Sequence, residues 1–191
     1  MFSIGHSSDE QRLVKRLRNG ENGAMREFYT LYANHLTAVC SRYIVDKDDL
    51  QDVFQDALIH IFTHIQDFDY RGAGSLTAWA SRIVVNEAID FLKASKHHEL
   101  TLLNTDIAEE TSEEVTTLSD IPPDVIQQLI KSLPTGYRTV FNLYVFENKS
   151  HREIARLLGI KESTSSSQFN RAKSLLIRMI RQYIDKEQQS R

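Results

Sequence analysis

The 191 residues of this chain are enough for one or two small domains that each bury a core. Hydrophobic residues make up 41% and charged residues 26% of the sequence, which is typical of a soluble globular protein and excludes a disordered chain. No apolar run is long enough to span a membrane, no signal peptide is recognisable at the N-terminus, and the single Cys40 excludes a disulfide framework. We therefore expect a cytoplasmic protein.

The net charge of −3 is unevenly distributed along the chain. Residues 1–98 carry 11 Lys and Arg against 13 Asp and Glu, residues 99–130 carry 8 acidic and no basic side chains, and residues 131–191 carry 12 basic and 5 acidic ones. A basic C-terminal part suits a surface that binds phosphate groups. The acidic middle predicts an extended linker, so we expect two domains, at 1–98 and 123–191, joined by a linker at 99–122.

Helical periods recur along the whole sequence, whereas strand signals are weak. Only seven glycines and three prolines interrupt the chain. We therefore predict an all-α protein made of two small helical domains. The predicted helices cover residues 9–19, 23–44, 48–67, 75–96, 124–132, 135–147, 150–158 and 162–185.

The third predicted helix combines a regular apolar stripe with an acidic face. Its apolar residues recur at intervals of three and four, which leaves Asp52, Gln55 and Asp56 together on the polar side. Most charged helix faces are simply exposed to solvent, and that is the simpler interpretation here. The alternative is that this face docks a basic helix of a partner protein.

A short loop, Tyr70–Gly74, precedes the fourth predicted helix. Aromatic and cationic side chains surround it: Phe68, Tyr70, Arg71, Trp79 and Arg82. Aromatic faces next to cations are what unpaired bases require, although Trp79 and Ile83 also fit a buried core. One polar stripe continues along the helix through Arg82, Asn86, Asp90 and Lys93.

The segment from Ser150 onward predicts a helix–turn–helix. Ser150 and Glu153 form a capping-box pattern at the start of one helix, and Gly159 is suited to end it. The serine run 163–167 then begins the last helix, with Ser165 on its inward face. In this motif the second helix enters the DNA major groove, and small side chains allow close approach. A solvated pair of helices in a bundle is the alternative.

No catalytic constellation stands out in the sequence. The loop sequence YRGAGS lacks the spacing and the Lys of a phosphate-binding P-loop. His60 and His64 are four residues apart, but the Glu of a H-E-x-x-H zinc motif is absent, so we interpret them as ordinary polar residues. Cys40 lies in an apolar helical pattern and is better interpreted as a buried structural thiol than as a redox sensor. We predict no enzymatic activity, no metal and no cofactor.

Four segments in this order resemble one known family. DVFQDALIHIF is similar to D-L-V-Q-E-x-F, and YRGAGSLTAWASRIVVNEAIDFLK is similar to R-G-x-x-S-F-x-x-W-L-x-x-I-A-x-N-x-x-x-D-x-L-R. LPTGYRTVFNLY and EIARLLGI resemble L-P-x-x-x-R-x-V-F-x-L and E-I-A-x-x-L-G-I, and STSSSQFNRAKSLL aligns with G-T-V-K-S-R-L-x-R-A-R-x-x-L. By these motifs the chain resembles the extracytoplasmic-function (ECF) group of bacterial sigma factors, which keep only regions two and four. The resemblance covers nearly all of residues 9–183.

The resemblance implies a protein that binds core RNA polymerase, directs it to a promoter and helps to open the duplex. The helix face of Asp52, Gln55 and Asp56 would dock the coiled coil of the largest polymerase subunit. The minus-ten element, including a flipped base of its non-template strand, would be bound by Tyr70, Arg71, Gly72, Ser75, Arg82 and Asn86. The minus-thirty-five element would be bound by Thr164, Ser166, Ser167, Asn170, Arg171 and Lys173. The linker would run toward the RNA path of the polymerase, and an anti-sigma factor would hold both domains inactive.

Three positions depart from the family pattern. Ser166 and Gln168 replace residues that are often Lys or Arg in the family, and Val85 replaces a common basic residue. Because these cations are missing, we expect weak binding of duplex DNA by the isolated protein. The alternative function is a stand-alone helix–turn–helix regulator, which would need neither the acidic face nor the loop next to Trp79.

Overall fold

The structure, a computed structural model, describes residues 7–95 and 121–189, and no strand occurs among them. The chain divides into two compact units between Phe91 and Leu92. The predicted all-α class with two helical units is confirmed. The α-helices are α1 Ser7–Arg18, α2 Asn22–Cys40, α3 Lys47–Thr63, α4 Ser75–Ser95, α5 Pro123–Lys131, α6 Thr135–Val145, α7 His151–Leu158 and α8 Glu162–Gln189. All but the last two residues of the predicted linker lie outside the described residues.

In the first unit, α2 packs against α1 and α3 around an apolar core. The stripe of α1 that points inward carries Leu13, Val14 and Leu17, each at most 3% exposed. Cys40, at the end of α2, is completely buried, and this burial raises the pKa of its thiol to about 11. The side chain therefore stays a thiol at neutral pH, in agreement with the structural interpretation.

Two helices of the first unit end earlier than the sequence pattern predicts. The chain leaves α2 after Cys40 and turns so that Tyr43 and Ile44 enter the core. It leaves α3 after Thr63 and forms a short 3₁₀ turn at Ile65–Asp67, which buries Ile65. Apolar periodicity alone does not separate a continuing helix from a turn that also places apolar side chains inward.

In the second unit, α8 packs against α5, α6 and α7. One part of its core consists of Ile130, Leu133, Tyr137, Ala172 and Leu176. The arginine of the L-P-x-x-x-R segment, Arg138, is also buried and donates hydrogen bonds to the carbonyls of Lys131 and Leu133, at 3.1 and 2.8 Å. The Lys131 carbonyl ends α5 and the Leu133 carbonyl lies in the turn that follows, so Arg138 joins the end of α5 to α6.

Candidate nucleic-acid interface

The acidic face of α3 is exposed as predicted. Asp52, Gln55 and Asp56 are all exposed, while Val53 and Phe54 are buried on the opposite side of the helix. Within the ranges that the structure describes, neither aspartate makes an ion pair. The two carboxylates therefore present unneutralised negative charge on a regular helix face.

The loop in front of α4 is closed by its own hydrogen bonds. The Ser75 hydroxyl donates to the Gly72 carbonyl at 2.6 Å and accepts from the Arg71 amide at 3.3 Å. Gly72 and Gly74 have φ angles of 114° and 84°, which side chains other than glycine rarely adopt. Two glycines are needed here because of this backbone, and the Ser75 hydroxyl serves the loop rather than pointing freely at a ligand.

The same loop is anchored by a side chain that sequence reasoning missed. Glu10 of α1 is buried, and its carboxylate accepts from the amides of Gly74 and Leu76 at 2.7 and 2.8 Å. The contact could not be predicted from a sequence motif, because Glu10 lies more than 60 residues before these amides. Its position could have indicated burial, since a carboxylate three and four residues before Leu13 and Val14 lies on the apolar stripe of α1.

A cavity of about 310 Å³ opens between α3 and α4. The Trp79 ring is half-buried and lies 5.1 Å from the Phe68 ring, so it is less completely buried than a core residue. On another wall, Nδ1 of His60 lies 2.5 Å from the Glu87 carboxylate. The lining residues are His60, His64, Asp67, Trp79, Ile83, Asn86 and Glu87.

The structure separates the predicted minus-ten residues into two groups. Asn86 lines the cavity, whereas Arg82 is exposed on α4 and does not line it. The loop contains Tyr70, Arg71 and Gly72. The Arg71 guanidinium donates to the Asp69 carboxylate at 3.2 Å, and both side chains are exposed to solvent. Val85, where a basic residue is common in the family, is buried and has no access to DNA.

The helix–turn–helix has the predicted local geometry. The Ser150 hydroxyl accepts from the Glu153 amide, the Glu153 carboxylate accepts from the Ser150 amide, and Gly159 is left-handed with φ of 66°. Hydrogen bonding to Ser150 lowers the pKa of the Glu153 carboxyl. Ser165 is buried as expected and hydrogen-bonds the His151 ring at 3.0 Å. This contact between α7 and α8 explains why one serine of the run faces inward.

An aromatic cluster joins α6, α7 and α8 next to that contact. The Tyr144 ring stacks on His151 at 4.8 Å and lies 4.4 Å from the Phe169 ring. The ammonium of Lys173 lies 5.2 Å from the centre of the Phe169 ring, a cation–π contact. These contacts join the N-terminal part of α8 to α6 and α7.

The predicted minus-thirty-five residues differ in exposure. Ser167, Asn170 and Lys173 are exposed, and the Ser167 hydroxyl donates to the Thr164 carbonyl at 3.0 Å. Thr164, Ser166 and Arg171 are half-buried on the flanks. Gln168, interpreted from sequence as the site of a missing phosphate-binding cation, is only 6% exposed. Position 168 therefore faces the interior in this chain, and only position 166 lies on the accessible side.

Comparisons with known proteins identify the chain. A helical protein with a helix–turn–helix in one unit and an acidic helix in the other is consistent with a DNA-binding component of the transcription machinery. The Sigma-70 region 2 family matches residues 28–98, and the Sigma-70 region 4 family matches residues 124–176. Together the two matches cover more than half of the chain. The protein belongs to the ECF sigma factors of the sigma-70 family.

Curated relatives agree with this assignment. The ECF RNA polymerase sigma factor SigW of Bacillus subtilis is 25% identical over 182 residues, which cover 90% of this chain and 96% of the relative. The ECF RNA polymerase sigma-E factor of Haemophilus influenzae is 28% identical over 181 residues, covering 87% and 93%. A solved structure of CnrH in complex with the cytosolic domain of CnrY shows 21% identity and a TM-score of 0.47, covering 88% of this chain and 94% of that one.

These matches establish the function at the level of the family. The protein is a sigma factor that acts in transcription initiation, and the family works with core RNA polymerase and promoter DNA. The match to region 2 is not expected of a stand-alone helix–turn–helix regulator, so that alternative is not favoured. Sigma factors are not a family of catalytic enzymes. None of the helices in the described ranges is both long and apolar enough to cross a membrane.

Proposed function

We propose that this sigma factor docks core polymerase through the acidic face of α3, binds the minus-ten element through α4 and its loop, and binds the minus-thirty-five element through α8. The observation that carries the proposal is the cavity between α3 and α4, because it brings an indole and an amide side chain to one place. The domains at 1–98 and 123–191 would act as separate DNA-binding units joined by the acidic segment, in the cytoplasm.

The polymerase-docking surface consists of Asp52, Gln55 and Asp56. The charges of Asp52 and Asp56 have no ion-pair partner within the described residues, and their helix is held from the other side by buried Val53 and Phe54. A basic helix of the polymerase would therefore gain ion pairs at little cost in rearrangement.

Charge reversal tests this surface. The double variant Asp52→Arg, Asp56→Arg should lose co-purification with core polymerase and transcription in vitro. The control Asp185→Arg, Glu187→Arg changes the net charge equally at exposed positions of α8. If the α3 variant binds core polymerase like the wild type, the docking face is assigned wrongly.

The minus-ten proposal places one unstacked base in the cavity. A volume of about 310 Å³ is at the lower end of the range for small-ligand sites, and a base needs both an aromatic face and a polar group for its edge. Trp79 supplies the aromatic face and Asn86 the polar group. The glycine loop would guide the non-template strand toward this opening, with Arg71 and Arg82 near its phosphates.

Asn86 and Arg82 are a matched pair for testing this arrangement. Asn86→Ala should relax the base preference at one position of the minus-ten element by about 1–3 kcal/mol in discrimination. Arg82→Ala should weaken binding evenly across sequences and lower the slope of affinity against salt by about one. Holoenzyme titrated against a randomised minus-ten library at two salt concentrations measures both. Unchanged preference in Asn86→Ala would exclude the cavity as the recognition site.

The minus-thirty-five proposal uses the exposed side of α8. Ser167 and Asn170 are short and exposed near the N-terminal end of the helix, where the helix also favours nearby phosphate. Asn170→Ala and Arg171→Ala should each cost roughly 1–3 kcal/mol if the side chain contacts a base edge. A phosphate contact would instead lower affinity evenly across a randomised minus-thirty-five library. No change in either variant would mean that another face of α8 meets the DNA.

An anti-sigma factor is the further partner that the family suggests. Such a protein would compete with core polymerase for the α3 face. The variant Asp52→Arg, Asp56→Arg is therefore expected to weaken both complexes, which separate titrations of the variant with core polymerase and with the anti-sigma factor measure.

A further inference from the structure

We propose that α1 sets the conformation of the minus-ten loop by hydrogen-bonding the backbone at both ends of the segment 65–76. In this proposal Glu10 is a positioning residue for base recognition. This proposal rests on the proposed role of the loop and the cavity in binding the minus-ten element. Glu10 touches no DNA in this scheme and acts only through the backbone of the loop.

The Glu10 carboxylate makes the hydrogen bonds at one end of this segment. Its two oxygens accept from the amides of Gly74 and Leu76 at 2.7 and 2.8 Å, and Oε1 lies 3.4 Å from the Ser75 hydroxyl. These amides open α4 and have no acceptor within their own helix. A buried carboxylate on a helix N-terminus is also favoured by the helix dipole and by the strength of charge-assisted hydrogen bonds.

The Arg18 guanidinium makes the hydrogen bonds at the other end. It donates to the carbonyl of Ile65 at 3.3 Å and to the carbonyl of Phe68, and the Gln66 side chain donates back to the Arg18 carbonyl at 2.6 Å. Glu10 and Arg18 are about two helical turns apart on α1, roughly 12 Å along its axis. A carboxylate thus holds amides at one end of the segment, and a guanidinium holds carbonyls at the other.

The hydrogen bonds of Ser75 close the loop on itself, and the contacts with α1 fix where the closed loop lies on the unit. A Cβ atom added to Gly72 or Gly74 would meet nothing within 4 Å, so the glycine positions themselves are not packed against other parts of the structure. Trp79, one turn beyond the Glu10 contacts, lines the cavity. A shift at the start of α4 would therefore move the aromatic wall of the proposed base site.

Tyr32 of α2 is buried close enough to Glu10 for the carboxylate charge to affect it. Burial, together with the negative charge of Glu10, raises the pKa of Tyr32 to about 12. The phenol therefore stays neutral and adds no second negative charge close to Glu10.

The experiment compares Glu10→Ala, Glu10→Gln and Glu10→Asp with the control Asp46→Ala. Asp46 is an exposed local cap in the same unit, where it accepts from the amides of Asp48 and Asp49 at 2.9 and 3.1 Å at the start of α3. Holoenzymes would be titrated against the randomised minus-ten library at two salt concentrations. Hydrogen exchange of the Gly74 and Leu76 amides would report on the loop without DNA.

Glu10→Ala should reduce discrimination at the base that enters the cavity by roughly fivefold or more, with an unchanged salt slope because no phosphate contact is lost. Glu10→Gln keeps one carbonyl acceptor and should give an intermediate loss, with faster exchange of the two amides. Glu10→Asp should partly restore discrimination, and Asp46→Ala should leave it unchanged.

Two outcomes would overturn the proposal. One is wild-type base preference in Glu10→Gln despite faster amide exchange, and the other is an equal loss of preference in Asp46→Ala. The Asn86→Ala variant separates the two levels of inference. If Asn86→Ala changes base preference and Glu10→Gln does not, only the positioning role fails. If neither variant changes it, the cavity itself is not the recognition site and both proposals fail.

Discussion

The loop in front of α4 and the turn at Gly159 look alike but are held in different ways. Each places a left-handed glycine close to a helix that we propose to contact DNA. In the helix–turn–helix, α7 is capped at its start by Ser150 and Glu153 and at its end by Gly159, whose amide donates to the Ala155 carbonyl. The start of α4 is capped by Glu10, which lies 64 residues before Gly74. One DNA-binding element is therefore specified locally, whereas the other forms only when its whole unit has folded.

The largest expected difference between the two regions is in stability. Glu10→Ala removes the acceptor of two backbone amides at the start of α4, and each buried unsatisfied amide costs roughly 1–3 kcal/mol. We expect the free energy of unfolding of the first unit to fall by about 2–4 kcal/mol, measured by urea denaturation. A loss below about 1 kcal/mol would show that water or another acceptor group replaces the carboxylate easily.

Replacing each glycine by alanine tests the comparison directly. Gly74→Ala and Gly159→Ala both place a side chain in left-handed backbone with open space around it, so each should cost about 1–2 kcal/mol from conformation alone. The two variants should differ in function, since only Gly74→Ala should alter preference in the minus-ten element. Promoter-library transcription with both variants measures this, and identical profiles would contradict the assignment.

Removing the local cap at Ser150 should have a smaller effect on stability. Ser150→Ala removes the side-chain acceptor of the Glu153 amide and should destabilise the second unit by about 1 kcal/mol, the usual value for a lost N-cap. Ser150→Asp, which also caps helices well, should recover most of this stability. Thermal unfolding followed by circular dichroism gives both values, and a larger loss would mean that Ser150 has tertiary partners as well.

Lowering the pH should produce the smallest change in the free energy of unfolding. The folded-state pKa of Glu153 is lowered below its ordinary value of 4.5, chiefly by the hydrogen bond from the Ser150 side chain. Its stabilising contribution is therefore present above 4.5 and is lost as the pH falls through the lower folded-state value. Urea denaturation at a series of pH values should show this loss in the wild type and a weaker one in Glu153→Gln. Equal pH dependence in both proteins would assign the effect to other carboxylates.

Sequence patterns predicted most of the fold because most of its signals are local. The helices, the capping box of Ser150, the left-handed Gly159 and the inward Ser165 all follow from spacing within a few residues. The exposed face of Asp52 and Asp56 follows from the same helical period. The early end of α3 could not be predicted this way, since Arg18 takes the carbonyls of the turn that follows.

By itself, the sequence of this sigma factor determined its family, its helical class and which faces of α3 and α8 point outward. These properties depend on residue type and on the 3.6-residue period, which act over one or two turns. Only the tertiary structure decided that Glu10 caps α4 and that Trp79 and Asn86 of α4 share a cavity with His60 of α3. Those contacts join residues from different helices or depend on how helices pack, and no short-range pattern encodes the distance between two packed surfaces.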